Sequence, residues 1–246
     1  MAKVEKRKPR LLWANPFCML DTSSGASMSV REMLHQLVQR GYEVKVVGAT
    51  VFDSDEGVKR FGSHWQRLKE MKGKIVNVKD GPLVHQLVKT RSTKRAILKS
   101  DEADTFLVTY LRELHQFKPD LVWFYGGGSL DLLVPYEARI RGIPSAAYLC
   151  NGNYKATSWC KDVDVIITDT QATADMYSQG QGFFPVPVGK FINPSKFVAD
   201  KNTRERILFV NPSYSKGAGI MALIAMILEK RRPDIVFEVV ESSGLV

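Results

Sequence analysis

No apolar run in this 246-residue chain approaches the ~20 residues that a membrane-spanning helix needs. The longest candidate is Ile220 to Leu228, so no span is expected. Cysteine is scarce. Cys18, Cys150 and Cys160 are odd in number and lack CxxC spacing, which argues against a disulfide framework and a zinc site and for reduced thiols in the cytoplasm. The N-terminus is basic, but Asn15, Pro16 and Asp21 interrupt the apolar stretch behind it and no small-residue cleavage site follows, so no signal peptide is expected. Negative charge is in the minority, with 26 acidic residues against 35 Lys and Arg and a net charge of +9.

What is present suits a packed α/β protein. The hydrophobic share is 44%, with 25% charged and 10% aromatic residues, which excludes disordered, collagenous and coiled-coil classes. The positive excess gathers at Lys3 to Arg10 and at Lys89, Arg91, Lys94, Arg95 and Lys99, a bias that suits phosphate-bearing partners or an anionic lipid surface. Neither patch interleaves aromatics, and no helix-turn-helix, RNP or zinc-finger pattern occurs, so nucleic acid is not an expected partner.

Apolar runs alternate with helical periodicity along the chain. Arg10 to Trp13 reads as a strand, followed by the loop Thr22-Ser23-Ser24-Gly25-Ala26-Ser27 and an amphipathic helix. Ser29 and Glu32 have capping-box spacing, Val30, Met33, Leu34, Leu37 and Val38 form the apolar stripe, and Gly41 follows as the stop. Tyr42 to Ala49 is a β-branched strand. After an irregular basic stretch come strands at Ile75 to Val78, Leu121 to Tyr125, Ser145 to Leu149 and Val163 to Thr168, with helices at Asp101 to Phe117, Asp131 to Arg141 and Ala172 to Ser178. Such repeated βα units predict a doubly wound, mostly parallel Rossmann-like sheet whose ligands sit at the strands' carboxyl ends. Pro187, Gly189, Pro194 and the polar run Ala199 to Thr203 mark a boundary, giving expected domains of 1–200 and 201–246. The second domain begins with a strand at Ile207 to Val210, a helix at Ile220 to Lys230 and a strand at Ile235 to Val240, and is expected to be an incomplete Rossmann-like unit.

Three stretches in this order resemble the GT-B glycosyltransferases of the retaining, nucleotide-sugar-dependent family-four type. They are Ser24-Gly25-Ala26-Ser27 to Gly41-Tyr42-Glu43-Val44, Pro187-Val188-Gly189-Lys190-Phe191-Ile192-Asn193-Pro194-Ser195-Lys196-Phe197, and Phe209-Val210-Asn211-Pro212-Ser213-Tyr214-Ser215-Lys216-Gly217. The resemblance implies acceptor contacts in the first domain and donor contacts in the second. It also implies transfer with retention to a glycan, lipid-linked or small-molecule acceptor. No cofactor is implied, the nucleotide-sugar being a substrate, and a lipid-linked acceptor would bring peripheral contact with an anionic membrane. The chain departs from the pattern in three ways. Asn211 stands where the family often has Arg, and Cys150-Asn151-Gly152-Asn153 stand where a His is common. The acidic pair that reads the donor would lie beyond Val246, so the chain on its own is expected to be inactive.

The resemblance assigns Gly25, Asn211, Lys216 and Gly217 to the donor, and Ser24, Ser27, Gly126, Gly127, Asn151 and Asn153 to the acceptor; no catalytic residue is assigned. Each assignment has a plainer counterpart. The Ser24 loop can be an ordinary strand-to-helix turn, the glycines a packing device, Lys216 a solvated side chain, and Asn151-Gly152 a turn. Asp162-Val163-Asp164 looks like a metal-binding DxD but opens an apolar strand, so no metal site is expected. Asp53, Asp55 and Glu56 read as a solvated loop, and His35, His64, His85 and His115 as helix-face residues. The alternative function is a non-catalytic sugar- or nucleotide-binding module. A Rossmann oxidoreductase is disfavoured because the GxGxxG fingerprint is missing.

Overall fold

Strands that are apolar on both faces can only be buried between two layers of helix, and that arrangement governs the larger part of the chain. The computed structural model describes residues 7–125, 128–154, 157–180, 182–196, 198, 201 and 205–241. It divides into two compact units, Met1–Ile192 and Asn193–Val246.

The first unit runs β1 (Arg10–Ala14), α1 (Gly25–Gln39), β2 (Glu43–Ala49), α2 (Asp55–Phe61), α3 (Ser63–Glu70), β3 (Ile75–Asp80), β4 (Leu83–Val88), α4 (Ser100–Gln116), β5 (Leu121–Phe124), α5 (Ser129–Arg139), β6 (Ser145–Leu149), β7 (Val165–Thr168), α6 (Gln171–Gly180) and β8 (Val186–Pro187). Its eight strands lie in the order β3-β4-β2-β1-β5-β6-β7-β8. Every neighbouring pair is parallel except the β3/β4 hairpin. From β1 the chain winds to one side through β2 and β4, then returns to lay β5 on its other side. The β1/β5 junction is therefore the topological switch point, where open α/β sheets place their ligand crevice.

Alternation along the strands splits the core in two. Leu12, Ala14, Val47, Ala49, Val122 and Phe124 face a cluster with Phe106, Tyr110 and Leu114 of α4 and Val134 and Ala138 of α5. Leu11, Trp13, Val44 and Val46 face the other way, against Val30, Met33 and Leu34 of α1. The stripe on α1 is as expected, but its start is not. Ser24 is the N-cap, its hydroxyl accepting from the Ser27 amide at 3.4 Å, so the helix begins at Gly25. Ser29 is buried instead, 3.3 Å from the Tyr148 hydroxyl and capping nothing, while its oxygen accepts from the Phe191 amide.

The stretch expected to be irregular holds α2, α3 and β4. In β4, Leu83, His85 and Leu87 point inward. His85 is thus a buried strand residue rather than a helix-face one, whereas His35, His64 and His115 do lie on helices. The hairpin carries an internal ionic knot. Asp80 at the end of β3 accepts from Arg31 Nε at 2.6 Å and pairs with His35 Nε2 at 2.9 Å, both on α1. His85 Nε2 lies 3.4 Å away. Although burial pushes Asp80 up, His85, Arg31 and His35 together hold it well below the carboxylate range, while burial pushes His85 down.

The second unit contains β9 (Arg206–Val210), α7 (Ala218–Arg231) and β10 (Val236–Val240), with the two strands parallel. Its apolar residues are largely in solvent: Leu208, Ile220, Leu223 and Met226 are each about 60% exposed or more.

Candidate functional site

Four parallel strands end around the switch point, and the loops that follow them enclose a cavity of about 310 Å³. The loop after β1 supplies Phe17, Asp21 and the Ser24–Ser27 segment, the loop after β2 supplies Asp53, and Tyr125 follows β5. Cys150, Asn151 and Tyr154 follow β6, and Arg95 enters from the connection between β4 and α4. The volume is at the low end of the range for small-ligand sites.

The polar groups of this cavity are anchored to different degrees. Asp21 is buried and fully occupied: one oxygen accepts from the Ser23 amide at 2.8 Å and hydroxyl at 2.7 Å, the other from the Asp53 amide at 2.7 Å. A Cβ at Gly57 would come within 2.1 Å of that carboxylate, so α2 can pass only because residue 57 is glycine. Asp21 therefore locks the loops after β1 and β2 together. Asp53, expected in a solvated loop, lines the cavity, and burial reinforced by the charge of Asp21 pushes its carboxyl up. Burial pushes Cys150 up to about 12 and raises Tyr125 well above the usual phenol range. The thiol and phenol are thus neutral near pH 7, and neither is an activated nucleophile.

Behind the cavity wall lies a buried carboxylate. Asp131, in the first turn of α5, accepts from the Gly128 amide at 2.7 Å and from Asn15 Nδ2 at 2.9 Å, and Arg95 stands 3.4 Å from it. Burial pushes its carboxyl up to about 6 against the pull of these partners. Arg95 also lies over the Phe17 ring, 4.9 Å from its centroid.

The structure brings Ser24, Gly25, Ser27 and Asn151 to the cavity wall. Asn153 is outside the wall; its amide donates to Asn151 Oδ1 at 3.0 Å, the turn geometry that Asn-Gly favours. Gly126 and Gly127 lie outside the described residues. In the second unit, Asn211 has a positive φ of 62° and donates its amide to the Val240 carbonyl. Gly217, at φ 89°, opens α7, and the Lys216 side chain before it is exposed. Asp164 accepts from the Ser145 amide at 2.7 Å and Asp162 pairs with Arg139 at 2.9 Å, so both have structural partners. No group of three or more metal-ligating side chains occurs among the described residues.

Phe17, Arg95, Tyr125 and Asp131 were not singled out as site residues from sequence. Arg95 was visible only as one member of a basic run that the structure distributes differently. Lys89 Nζ donates to the Lys69 carbonyl at 3.1 Å, Arg91 pairs with Asp101 at 2.6 Å, and Arg95 belongs to the cavity. Among the described residues, no helix is long and apolar enough to cross a membrane.

Comparisons with known proteins bear on the fold. No family model matches the chain, and no curated protein matches it in sequence. Solved structures do match. The catalytic domain of starch synthase IV from Arabidopsis thaliana, bound to ADP and acarbose, superposes with a TM-score of 0.55 at 8% identity, over 96% of this chain and 69% of that one. A trehalose-6-phosphate structure from E. coli, bound with UDP-2-fluoro glucose, gives 0.52 at 12% identity over 96% and 65%. A UDP-N-acetylglucosamine 2-epimerase gives 0.50 at 11% over 94% and 63%. The chain thus spans about 63% of the length of that epimerase. At these identities the likeness shows the fold: an α/β, mostly parallel Rossmann-like sheet with flanking helices, as in GT-B glycosyltransferases and epimerases.

Proposed function

We propose that the chain carries the acceptor side, and the first βαβ of the nucleotide-sugar side, of a glycosyltransferase. The substrate would be a nucleotide-sugar, and the acceptor a glycan, lipid-linked or small molecule held in the first-unit cavity. The observation that carries this reading is a small-ligand cavity at the switch point, walled by the Ser24–Ser27 turn that also bears the family resemblance. In this reading the cavity residues hold and orient the acceptor. Asp53, whose carboxyl is pushed up by burial and by the charge of Asp21, is the carboxylate of the cavity wall placed to accept from an acceptor hydroxyl. Donor phosphates would meet Lys216 and the amides around Gly217, where positive charge stabilises a departing diphosphate. Retention of configuration and peripheral membrane contact belong to the proposal through the family resemblance. Cytoplasmic placement belongs to it through the unpaired thiols of the sequence.

The chain alone is expected to be inactive, because the apolar side chains exposed on β9 and α7 leave its donor-side unit without a second layer to shape a donor cleft. The test is to incubate the chain with UDP-, ADP- and GDP-sugars and a mixed acceptor pool, with and without a complementing donor-side domain. Transfer only on complementation is the expected result. Nucleotide-sugar binding without transfer under either condition would favour the non-catalytic module, for which the neutral Asn211 in place of a cation is the specific pointer. A narrower prediction concerns Lys216. In the complemented protein, Lys216→Ala is expected to weaken nucleoside diphosphate binding by about 1.5–3 kcal/mol, the worth of a charge-assisted contact, and calorimetric titration with UDP and ADP measures it. Equal affinities would remove Lys216 from the site.

A further inference from the structure

Arg95 is the cation of the cavity wall, and it is held there without being used up. Its guanidinium has one ion-pair contact among the described residues, the 3.4 Å approach to Asp131, and its side chain is 48% exposed. A guanidinium carries five donors in a planar fork suited to carboxylate or phosphate. One long contact leaves most of that fork unspent.

The surroundings hold the fork in place. Its guanidinium carbon lies over the Phe17 ring at 4.9 Å, and Phe17 itself packs edge-on against Tyr125 at 6.4 Å. Asp131 behind it is fixed by Asn15 and the Gly128 amide. Residue 128 cannot carry a side chain without displacing this arrangement, since a Cβ there would lie 2.0 Å from the Arg95 terminal nitrogen. An arginine serving only as counterion to Asp131 would turn its fork squarely onto that carboxylate. This one instead borders a cavity that Asp53 and Tyr125 also line.

Taking the first-unit cavity as the acceptor side, as the proposed function does, we infer that the acceptor it takes is an anionic sugar, with a phosphate or carboxylate against Arg95. Its ring lies across Phe17 and Tyr125, and its hydroxyls donate to Asp53. Arg95 is the specificity-determining residue. Asp131 is a positioning residue that acts through it. Phosphate and carboxylate share the chemistry the fork recognises, and the experiment separates them.

The test measures binding to the full chain by isothermal titration, with glucose, glucose 6-phosphate, glucuronate and inorganic phosphate as probes. It needs no donor or turnover, so a failed transfer assay would leave the anion site standing, and a failed anion preference would leave the acceptor reading standing. At least one anionic sugar is expected to bind tenfold or more tightly than glucose, and the stronger of the two identifies the group. Arg95→Gln is expected to abolish that preference, so that the anionic sugars and glucose bind the variant with the same weak affinity. Arg95→Lys, which keeps the charge and loses the fork, is expected to retain only part of it. Thermal melts of both variants report that they fold. Equal affinity for the three sugars would overturn the inference. So would a preference that survives Arg95→Gln, or inorganic phosphate binding as tightly as glucose 6-phosphate.

Discussion

Replacing Asp80 with Ala is expected to lower the stability of the larger unit by about 3 kcal/mol, the lower end for removing one partner of a buried charge cluster. The side chain is only 10% exposed and joins three elements: its own strand β3, Arg31 and His35 on α1, and His85 on β4. Without it, buried His85 loses its nearest polar neighbour, and Arg31 loses both of its contacts to that carboxylate. For a unit of this size the loss corresponds to roughly 6–12 °C in melting temperature. The signs with pH follow from the directions of the shifts. Asp80 is depressed, so its contribution is present above the ordinary carboxylate value of 3.8 and declines as pH falls below it. His85 is depressed too, so its neutral burial stabilises at pH values above its ordinary 6.5 and is lost as pH falls. Glu56→Ala is the control, because that carboxylate is 43% exposed and pairs with Lys59 and Arg60 on its own helix, and a change below about 1 kcal/mol is expected there. Thermal melts at pH 7.5 decide it: equal, small shifts in the two variants would mean that the hairpin is not tied to α1 through Asp80.

The sheet was readable because β1, β2, β5 and β6 are apolar at nearly every position, which only a doubly covered strand tolerates. The region from residue 50 to 100 was not readable for the opposite reason. In β4, His85 and Gln86 break the apolar run, yet His85 faces inward because Asp80 and two further side chains of α1 share its polar environment. That partnership spans from residue 31 to 85 and leaves no local trace. The misplaced start of α1 has a similar origin. Ser29 matched a capping box by spacing, but Tyr148 and Phe191 claim its hydroxyl across more than 100 residues of chain, and Ser24 caps instead.

The candidate site divides along the same line. Its turn residues, Ser24 to Ser27, carry a local signal of small side chains between strand and helix. Its charged residues do not. Asp131 is an ordinary first-turn acid by sequence, and Arg95 sits in a run where every basic residue looks alike. What distinguishes Arg95 is the missing side chain at Gly128, the ring of Phe17 and the buried carboxylate, brought together by the reversal of winding between β1 and β5.

Asp131 supplies the second large expected effect, of opposite sign. Its carboxyl is raised from 3.8 to about 6 by burial. A raised acid is protonated in the folded state over a window in which the unfolded chain has already lost the proton. Folding is therefore unpenalised below pH ~4 and increasingly penalised as pH climbs through the window, reaching its full cost above the folded value. Two units at 1.36 kcal/mol each give a penalty on the order of 3 kcal/mol at pH 7.5. Asp131→Asn removes the titration while keeping an oxygen to accept from the Gly128 amide. The difference in unfolding free energy, variant minus wild type, is expected to rise by that amount between pH 4 and 7.5. Taking the difference cancels Asp53, Asp80 and His85, whose shifts are common to both proteins. Asp131→Ala is expected to be less stable than Asp131→Asn at every pH, since the Gly128 amide and Asn15 Nδ2 then lose their acceptor. Urea titrations at pH 4, 5, 6 and 7.5 supply the comparison. A pH-independent difference between wild type and Asp131→Asn would place an ordinary, solvated carboxylate at residue 131 and remove the buried support beneath Arg95.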